Sequence, residues 1–345
     1  MNKLIIGTGS DLPEWTLTND DIEAMSIDYD RARAGVSLDE WAMQRVGVKE
    51  RHRIRPGEGT SDMGLRAARH ALQDAGLGPA DIDLIVLATV TSDNYLPMSA
   101  SRIQAGLGCR CKFFQLDHAC SGFIDAQIVA AALMDFLPCE TALVINAEAG
   151  SFLLDPKLFM LQTIFGDGAA AVVLRRTQSS EYGLLSWYSE ADGSIGEWTH
   201  VPAGRTKMPL TPELFDKGLQ YIHLDYKKVY PFAVEKMALS SEVAAKRAGV
   251  SLDEIDWFIP HQTGRNILRD VAHRLEQPEE KFFINVDHTG NTSGASIPIA
   301  LDEANRAGLL HHGDLILTPT MGAGMTWGAL CYRWYDYRKN GVGAN

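Results

Sequence analysis

The chain of 345 residues is short of the features that would place it in a membrane, in an oxidising compartment or on nucleic acid. No run of apolar residues reads as the ~18 that a membrane span needs. The opening MNKLIIGTGSDLP has one lysine and a short apolar run and then turns polar, so no secretory signal is expected. Cysteines number five, at 109, 111, 120, 139 and 331, an odd and scattered set that argues against a disulfide framework and suits a reducing cytoplasm. Cys109-x-Cys111 has no second pair or histidine at ligand spacing, so no metal site is expected. Positive charge is scarce: 32 Lys and Arg against 44 Asp and Glu leave a net charge of -12, which argues against generic nucleic-acid binding. Gly7-Thr8-Gly9-Ser10 lacks the third glycine of a dinucleotide loop and is followed by Pro13, so it reads as a strand-to-loop turn.

What is present repeats itself. AGLGPADIDLIV (75–86) matches AGVSLDEIDWFI (248–259), and KFFQLDHACSG (112–122) matches KFFINVDHTGNTSG (281–294). FGDGAAAVVLRR (165–176) matches MGAGMTWGALCYRW (321–334) more weakly, in the same order. Two duplicated halves are therefore expected, 1–178 and 179–345, with the break at the polar stretch 177–181. Short apolar runs such as IDLIVLATV and TALVINAE read as buried strands, and MGLRAARHALQDAG as a helix ending at glycine. Alternating strands and helices imply an α/β protein, and two such halves facing each other give five layers, αβαβα. The run after Cys120 is apolar nearly all round, which fits a helix buried between two sheets.

Cys120 stands between a strand and that helix. A helix start favours a thiolate, while burial opposes it. By itself the residue reads as a packed cysteine. The repeat sets it opposite Gly290-Asn291, so two corresponding loops meet near a pseudo-twofold axis. His261, in Ile259-Pro260-His261-Gln262-Thr263, lies at a strand end where α/β proteins keep their chemistry. Asn291 by itself is a turn residue, and the 321–325 stretch either a plain turn or a source of oxyanion N–H groups.

Taken together, IIGTGSDLPE, DEWAMQRVGVKERH, HACSGF, FGDGAAAVVL, ADGSIGE, IPHQTGRNI, HTGNTSGASIPIALDEA and GAGMTWGAL make the chain resemble 3-oxoacyl-[acyl-carrier-protein] synthase III, the ketosynthase III branch of the thiolase superfamily. The resemblance implies the duplicated five-layer thiolase-like fold and a homodimer. It implies a Cys-His-Asn triad at Cys120, His261 and Asn291, with oxyanion N–H groups from Cys120 and Ala323. It implies ping-pong acyl transfer, in which Cys120 takes an acyl group and joins it to a malonyl thioester by decarboxylative Claisen condensation. Fatty-acid initiation and polyketide or other secondary-metabolite synthesis are both open. So is acyl transfer, or the joining of two acyl chains, without decarboxylation. Coenzyme A or phosphopantetheine thioesters would be substrates, with acyl carrier protein as partner and no metal or redox cofactor.

For coenzyme A the resemblance points to Trp41, Arg45 and Arg265. The chain departs from the family nearby. Phe159 stands where a second arginine is usual, Thr263-Gly264-Arg265-Asn266 replaces Ala-Asn-x-Arg, and Gly322-Ala323-Gly324 replaces three glycines. Tyr226 and Tyr230 add bulk before the second half's first helix. A residue contributed across the dimer is expected near Tyr95-Leu96-Pro97. Thiolases proper are disfavoured by Thr320-Met321, where they carry a second cysteine, and chalcone synthases by the missing GFGPG turn. A non-catalytic subunit would be expected to lack the nucleophile.

Overall fold

The computed structural model describes residues 2–340. One sheet has the spatial order Asn2–Asp11, Gly168–Thr177, Thr141–Glu148, Leu84–Ala88, Lys112–Leu116. Leu84–Ala88 and Thr141–Glu148 are buried along their whole length, as continuous apolar runs require. Leu84–Ala88 pairs in parallel with both neighbours, so helices must make the crossovers; Ser99–Leu107 and Gly122–Phe136 do so. The other sheet is built on Thr326–Arg333. Gly183–Ala191 lines one edge of that strand; Leu315–Leu317 and Thr320–Gly322 share the other, and Trp257–Phe258 extends beyond Leu315–Leu317.

Helix Thr60–Ala75 packs against the first sheet, and Tyr226–Ala248 against the second with Arg265–Arg274 beside it. Gly122–Phe136 and Ser296–Arg306 form the layer between the sheets. This is the five-layer thiolase fold. Gly7 and Gly9 lie inside the first strand, not at its exit: a Cβ on them would stand 2.4 Å from Ala71 O and 2.2 Å from Ala71 N, so the helix backbone rests directly on the strand.

Three expectations change. Ala119–Phe136 does reach span length, 18 residues at a mean hydropathy of 1.4; Asp125 and Asp135 interrupt the run when it is read by eye. It is a core helix, with Phe123, Ile124, Ala126 and Ala130 fully buried. It is not buried all round, since Ile128, Val129 and Leu133 are half-buried and Phe136 is 86% exposed. Finally, Cys120 is not opposite Gly290-Asn291. The 3-10 turn Ala119–Ser121 leads into the first central helix, and its counterpart Ser293–Ala295 leads into the second, which sets Cys120 opposite Gly294. An extra helical turn, Val286–Thr289, in the second half displaces the linear match.

Candidate active site

Cys120 sits at the centre of its turn, after Ala119, whose φ of 39° is rare for a residue with a side chain. Ser121 N and Oγ donate to His118 O at 3.1 and 3.0 Å, and Ser121 Oγ meets Thr326 Oγ1 at 2.6 Å. Thr320 Oγ1 donates to Cys120 O at 2.9 Å. A Cβ on Gly322 would stand 2.9 Å from Cys120 N and 3.1 Å from Cys120 Cβ, so only glycine lets this strand end approach the thiol's backbone. The predicted oxyanion residue Ala323 follows directly.

His261 is buried in the loop after Trp257–Phe258. Its N–H donates to Pro319 O at 2.9 Å, one residue from Thr320, which holds Cys120. Its Nδ1 meets Ser296 Oγ at 2.7 Å, and Gln262 N donates to the same oxygen at 3.2 Å. Asn291 is fixed by backbone bonds, its N to Ile164 O at 2.8 Å and Gly166 N to its O at 3.0 Å. Its side-chain Oδ1 accepts from Ser293 N at 2.8 Å, which turns the amide NH₂ the other way. Ser293 Oγ in turn lies 3.6 Å from Cys120 Sγ. The segment 291–296 therefore ties Cys120, His261 and Asn291 together. Ser293 and Ser296 were not singled out in the sequence, although both lie within HTGNTSGAS, and Thr320 was noted only as standing where thiolases carry a cysteine.

Burial pushes the Cys120 thiol up to about 11; the Ser293 hydroxyl opposes this and the Glu148 carboxyl adds to it. Burial holds His261 at about 3, so its imidazole is neutral at pH 7. Glu148, at the end of its strand, is raised by burial to about 8. It is held there by Thr91 Oγ1 at 2.8 Å, Val90 N at 3.2 Å and Thr89 Oγ1 at 3.4 Å.

Trp41 and Arg45 lie on helix Leu38–Arg45, whose end docks on the start of Arg265–Arg274. Arg265 N donates to Val46 O at 2.7 Å, and Asn266 Nδ2 to Arg45 O at 2.8 Å. Trp41, Arg45 and Arg265 therefore lie on two helices that meet end to start. Phe159 packs edge-on against Trp41, with centroids 5.1 Å apart, and against Tyr29 at 5.0 Å. Tyr226 and Tyr230 occupy the first turns of helix Tyr226–Ala248, rings 5.5 Å apart, with Tyr230 OH on Asp270 Oδ2 at 2.6 Å.

The family described as 3-oxoacyl-[acyl-carrier-protein (ACP)] synthase III matches residues 114–193, and its C-terminal counterpart matches 245–334. The beta-ketoacyl-[acyl-carrier-protein] synthase III of Caldanaerobacter subterraneus subsp. tengcongensis is 40% identical, over 96% of this chain and 97% of its own. The crystal structure of 3-oxoacyl-[acyl-carrier-protein] synthase III from Aquifex aeolicus superposes with a TM-score of 0.86 at 36% identity, over 96% of this chain and 100% of that one. The priming beta-ketosynthase of the R1128 polyketide pathway gives 0.86 at 27% identity, over 97% of both chains. Fold and relatives define a thiolase-fold condensing enzyme of the acyltransferase class. Within that class, the chain belongs to the 3-oxoacyl-[acyl-carrier-protein] synthase III family.

Proposed function

We propose that Cys120 is the nucleophile and that His261 and Asn291 are the donors of the condensing step. The observation that carries this is the fixed pair of donors. Asn291 Oδ1 is taken by Ser293 N and His261 Nδ1 by Ser296 Oγ, so the amide NH₂ and Nε2 remain for the substrate. The Ser296 oxygen already accepts from Gln262 N; with its own hydrogen on Nδ1, the imidazole proton sits on Nε2. The Cys120 thiolate adds to an acyl thioester, and N–H groups of Cys120 and Ala323 meet the oxyanion. The carrier thiol leaves and the acyl group stays on sulfur. A malonyl thioester then enters. Its carboxylate departs as carbon dioxide, and the electron pair left behind forms an enolate held by His261 Nε2 and Asn291 Nδ2. The enolate carbon attacks acyl-Cys120, releasing the thiolate and a 3-oxoacyl thioester. Each step balances without a metal or redox cofactor.

Both substrates are thioesters of phosphopantetheine, and acyl carrier protein is the partner. Trp41, Arg45 and Arg265 form the rim by which coenzyme A would enter. Phe159 packing against Trp41 narrows the space beside the indole, which favours a carrier-bound acyl donor over free acyl-coenzyme A. The exposed face of helix Arg265–Arg274 presents Arg265, Arg269 and His273, while Ile267, Leu268 and Val271 are buried. On an acidic chain, this is the face on which an acidic carrier would dock. A second copy would cover the open edge of Lys112–Leu116, where Phe114 is 41% exposed, and the Tyr95-Leu96 loop, 67% and 83% exposed.

The test uses the full chain. Intact mass should show acyl transfer to Cys120 from a panel of acyl-coenzyme A and acyl-carrier donors, with carrier-bound donors faster. Radiolabelled malonyl-carrier protein should then release carbon dioxide in step with product. Acylation without any such release, while the acyl group still passes to a second chain, would establish the chain-joining reaction instead.

A further inference from the structure

We propose that the Ser293 hydroxyl is the hydrogen-bond donor that stabilises the Cys120 thiolate. The inference rests on Cys120 being the nucleophile and adds a residue with a separate task. Among the described residues, Ser293 Oγ meets one group at hydrogen-bond distance, Cys120 Sγ at 3.6 Å. A neutral thiol is a poor acceptor and a thiolate a good one, so this bond strengthens as sulfur ionises.

Apart from a backbone hydrogen bond at Cys120 and the start of the helix that follows, the surroundings disfavour the anion. Glu148, at the end of Thr141–Glu148, opposes the thiolate once it ionises, and Asp117, before the Cys120 turn, raises Glu148 in turn. His261 is buried and neutral and brings no positive charge. From the second sheet, Thr320 spends its hydroxyl on Cys120 O, and Gly322 has no side chain. Ser293 is thus the side chain whose contact favours the anion.

The backbone carries an independent sign. Ser293 has a φ of 52°, a left-handed conformation that costs a residue with a Cβ about 1 kcal/mol and suits glycine better. The turn itself needs no hydroxyl, because its bond to Asn291 Oδ1 comes from Ser293 N. Glycine would keep that bond and remove the strain. The hydroxyl that serine adds at this position reaches Cys120 Sγ.

The experiment takes the full chain with Ser293→Ala and Ser293→Gly. Iodoacetamide is the probe, and alkylation of the Cys120 peptide is followed from pH 7 to 9. Loss of a hydrogen bond to a charged group should raise the thiol pKa by about one unit. Because a more basic thiolate is also more nucleophilic, the rate at fixed pH should fall only about threefold. Carbon dioxide release by enzyme already acylated should fall less than alkylation, since decarboxylation precedes the release of thiolate from acyl-Cys120. Ser293→Gly should show the same slower alkylation with a higher Tm. Alkylation unchanged in both variants overturns the proposal. So does an equal fall in alkylation and carbon dioxide release, which would mean that Ser293 only holds Asn291. Cys120→Ala is the separate control: if it still forms the acyl-enzyme, the nucleophile is misassigned, whatever Ser293 does to alkylation.

Discussion

Two turns of one shape meet in the middle of the molecule and carry opposite chemistry. Ala119-Cys120-Ser121 and Ser293-Gly294-Ala295 are both 3-10 turns, both open on a left-handed residue that is not glycine, and both lead into a central helix. The first holds a thiol at its centre and the second holds no side chain at all. A Cβ on Gly294 would stand 2.6 Å from Ala119 O and 2.7 Å from Asn146 Nδ2. Duplication thus supplies two equivalent positions, and close packing across the pseudo-twofold leaves room for a side chain at only one. The bare turn has a different use. Its first residue fixes Asn291 through the backbone and touches the sulfur through its side chain.

The sharpest way to break this division is to remove the working side chains in turn. Cys120→Ala should abolish the acyl-enzyme while leaving the fold intact, because alanine fits wherever cysteine does. Asn291→Ala removes a donor aimed at charge that develops only in the second step. It should slow condensation and carbon dioxide release by roughly 10²–10³, by analogy with loss of one oxyanion donor. Self-acylation should survive much better. Intact mass and radiolabelled carbon dioxide on the same variant check both. Equal loss of the two would show that the turns do not divide the chemistry.

Gly294→Ala tests why the second turn is bare. The new methyl must displace the Ala119 carbonyl or the Asn146 amide, and Asn146 is fully buried. Overpacking of this kind costs about 1–3 kcal/mol. A lower Tm should come with slower rates in both half-reactions, since Ala119 adjoins Cys120. A wild-type Tm would mean that crowding is not what keeps this position empty.

How much of this was legible beforehand follows from how far apart the contributing residues are. The sheets and the central helices were readable from apolar runs and capping glycines, which are local signals. Cys120, His261 and Asn291 each read as ordinary structural residues alone, and only the resemblance, carried by compact motifs, joined them as candidates. Ser296 and Thr320 were not readable as site residues, since their partners lie 35 and 200 residues away along the chain. Glu148 read as the end of an apolar strand, and only the fold places its carboxyl where it acts on the thiol. The pairing of Cys120 with Gly290-Asn291 failed because the second stretch is longer than the first, and a short match does not show that its extra residues form the turn Val286–Thr289 ahead of the loop.

The second half also differs from the first in charge at its surface. Arg265→Glu with Arg269→Glu reverses two exposed positions on helix Arg265–Arg274. KM for carrier-bound substrate should rise by roughly threefold to tenfold, less at high salt, while thioesters too small to reach Arg265, coenzyme A thioesters excluded, are spared. Steady-state kinetics with both substrate types decide it; an equal response would place the docking face elsewhere.

A last contrast sets against each other one buried titratable group from each half. Glu148 is raised from 4.5 to about 8, and His261 lowered from 6.5 to about 3, both by burial. Between pH 4.5 and about 8 the folded chain keeps a proton on Glu148 that the unfolded chain has released. That stability is lost as pH rises through the window. Between about pH 3 and 6.5 the unfolded chain protonates His261 and the folded chain does not, so stability is lost as pH falls. The two slopes oppose each other from pH 4.5 to 6.5. Above pH 6.5, of these two groups, Glu148 acts by itself, with a limiting slope of about 1.4 kcal/mol per pH unit. Glu148→Gln should therefore flatten the decline in stability from pH 6.5 to 8 and leave the acid side unchanged. His261→Ala should do the reverse, flattening the decline below pH 4.5. Urea unfolding midpoints across pH 4 to 8 measure both. If Glu148→Gln left the alkaline slope as it is, the carboxyl would already be ionised in the folded chain, and its opposition to the Cys120 thiolate would hold throughout the neutral range.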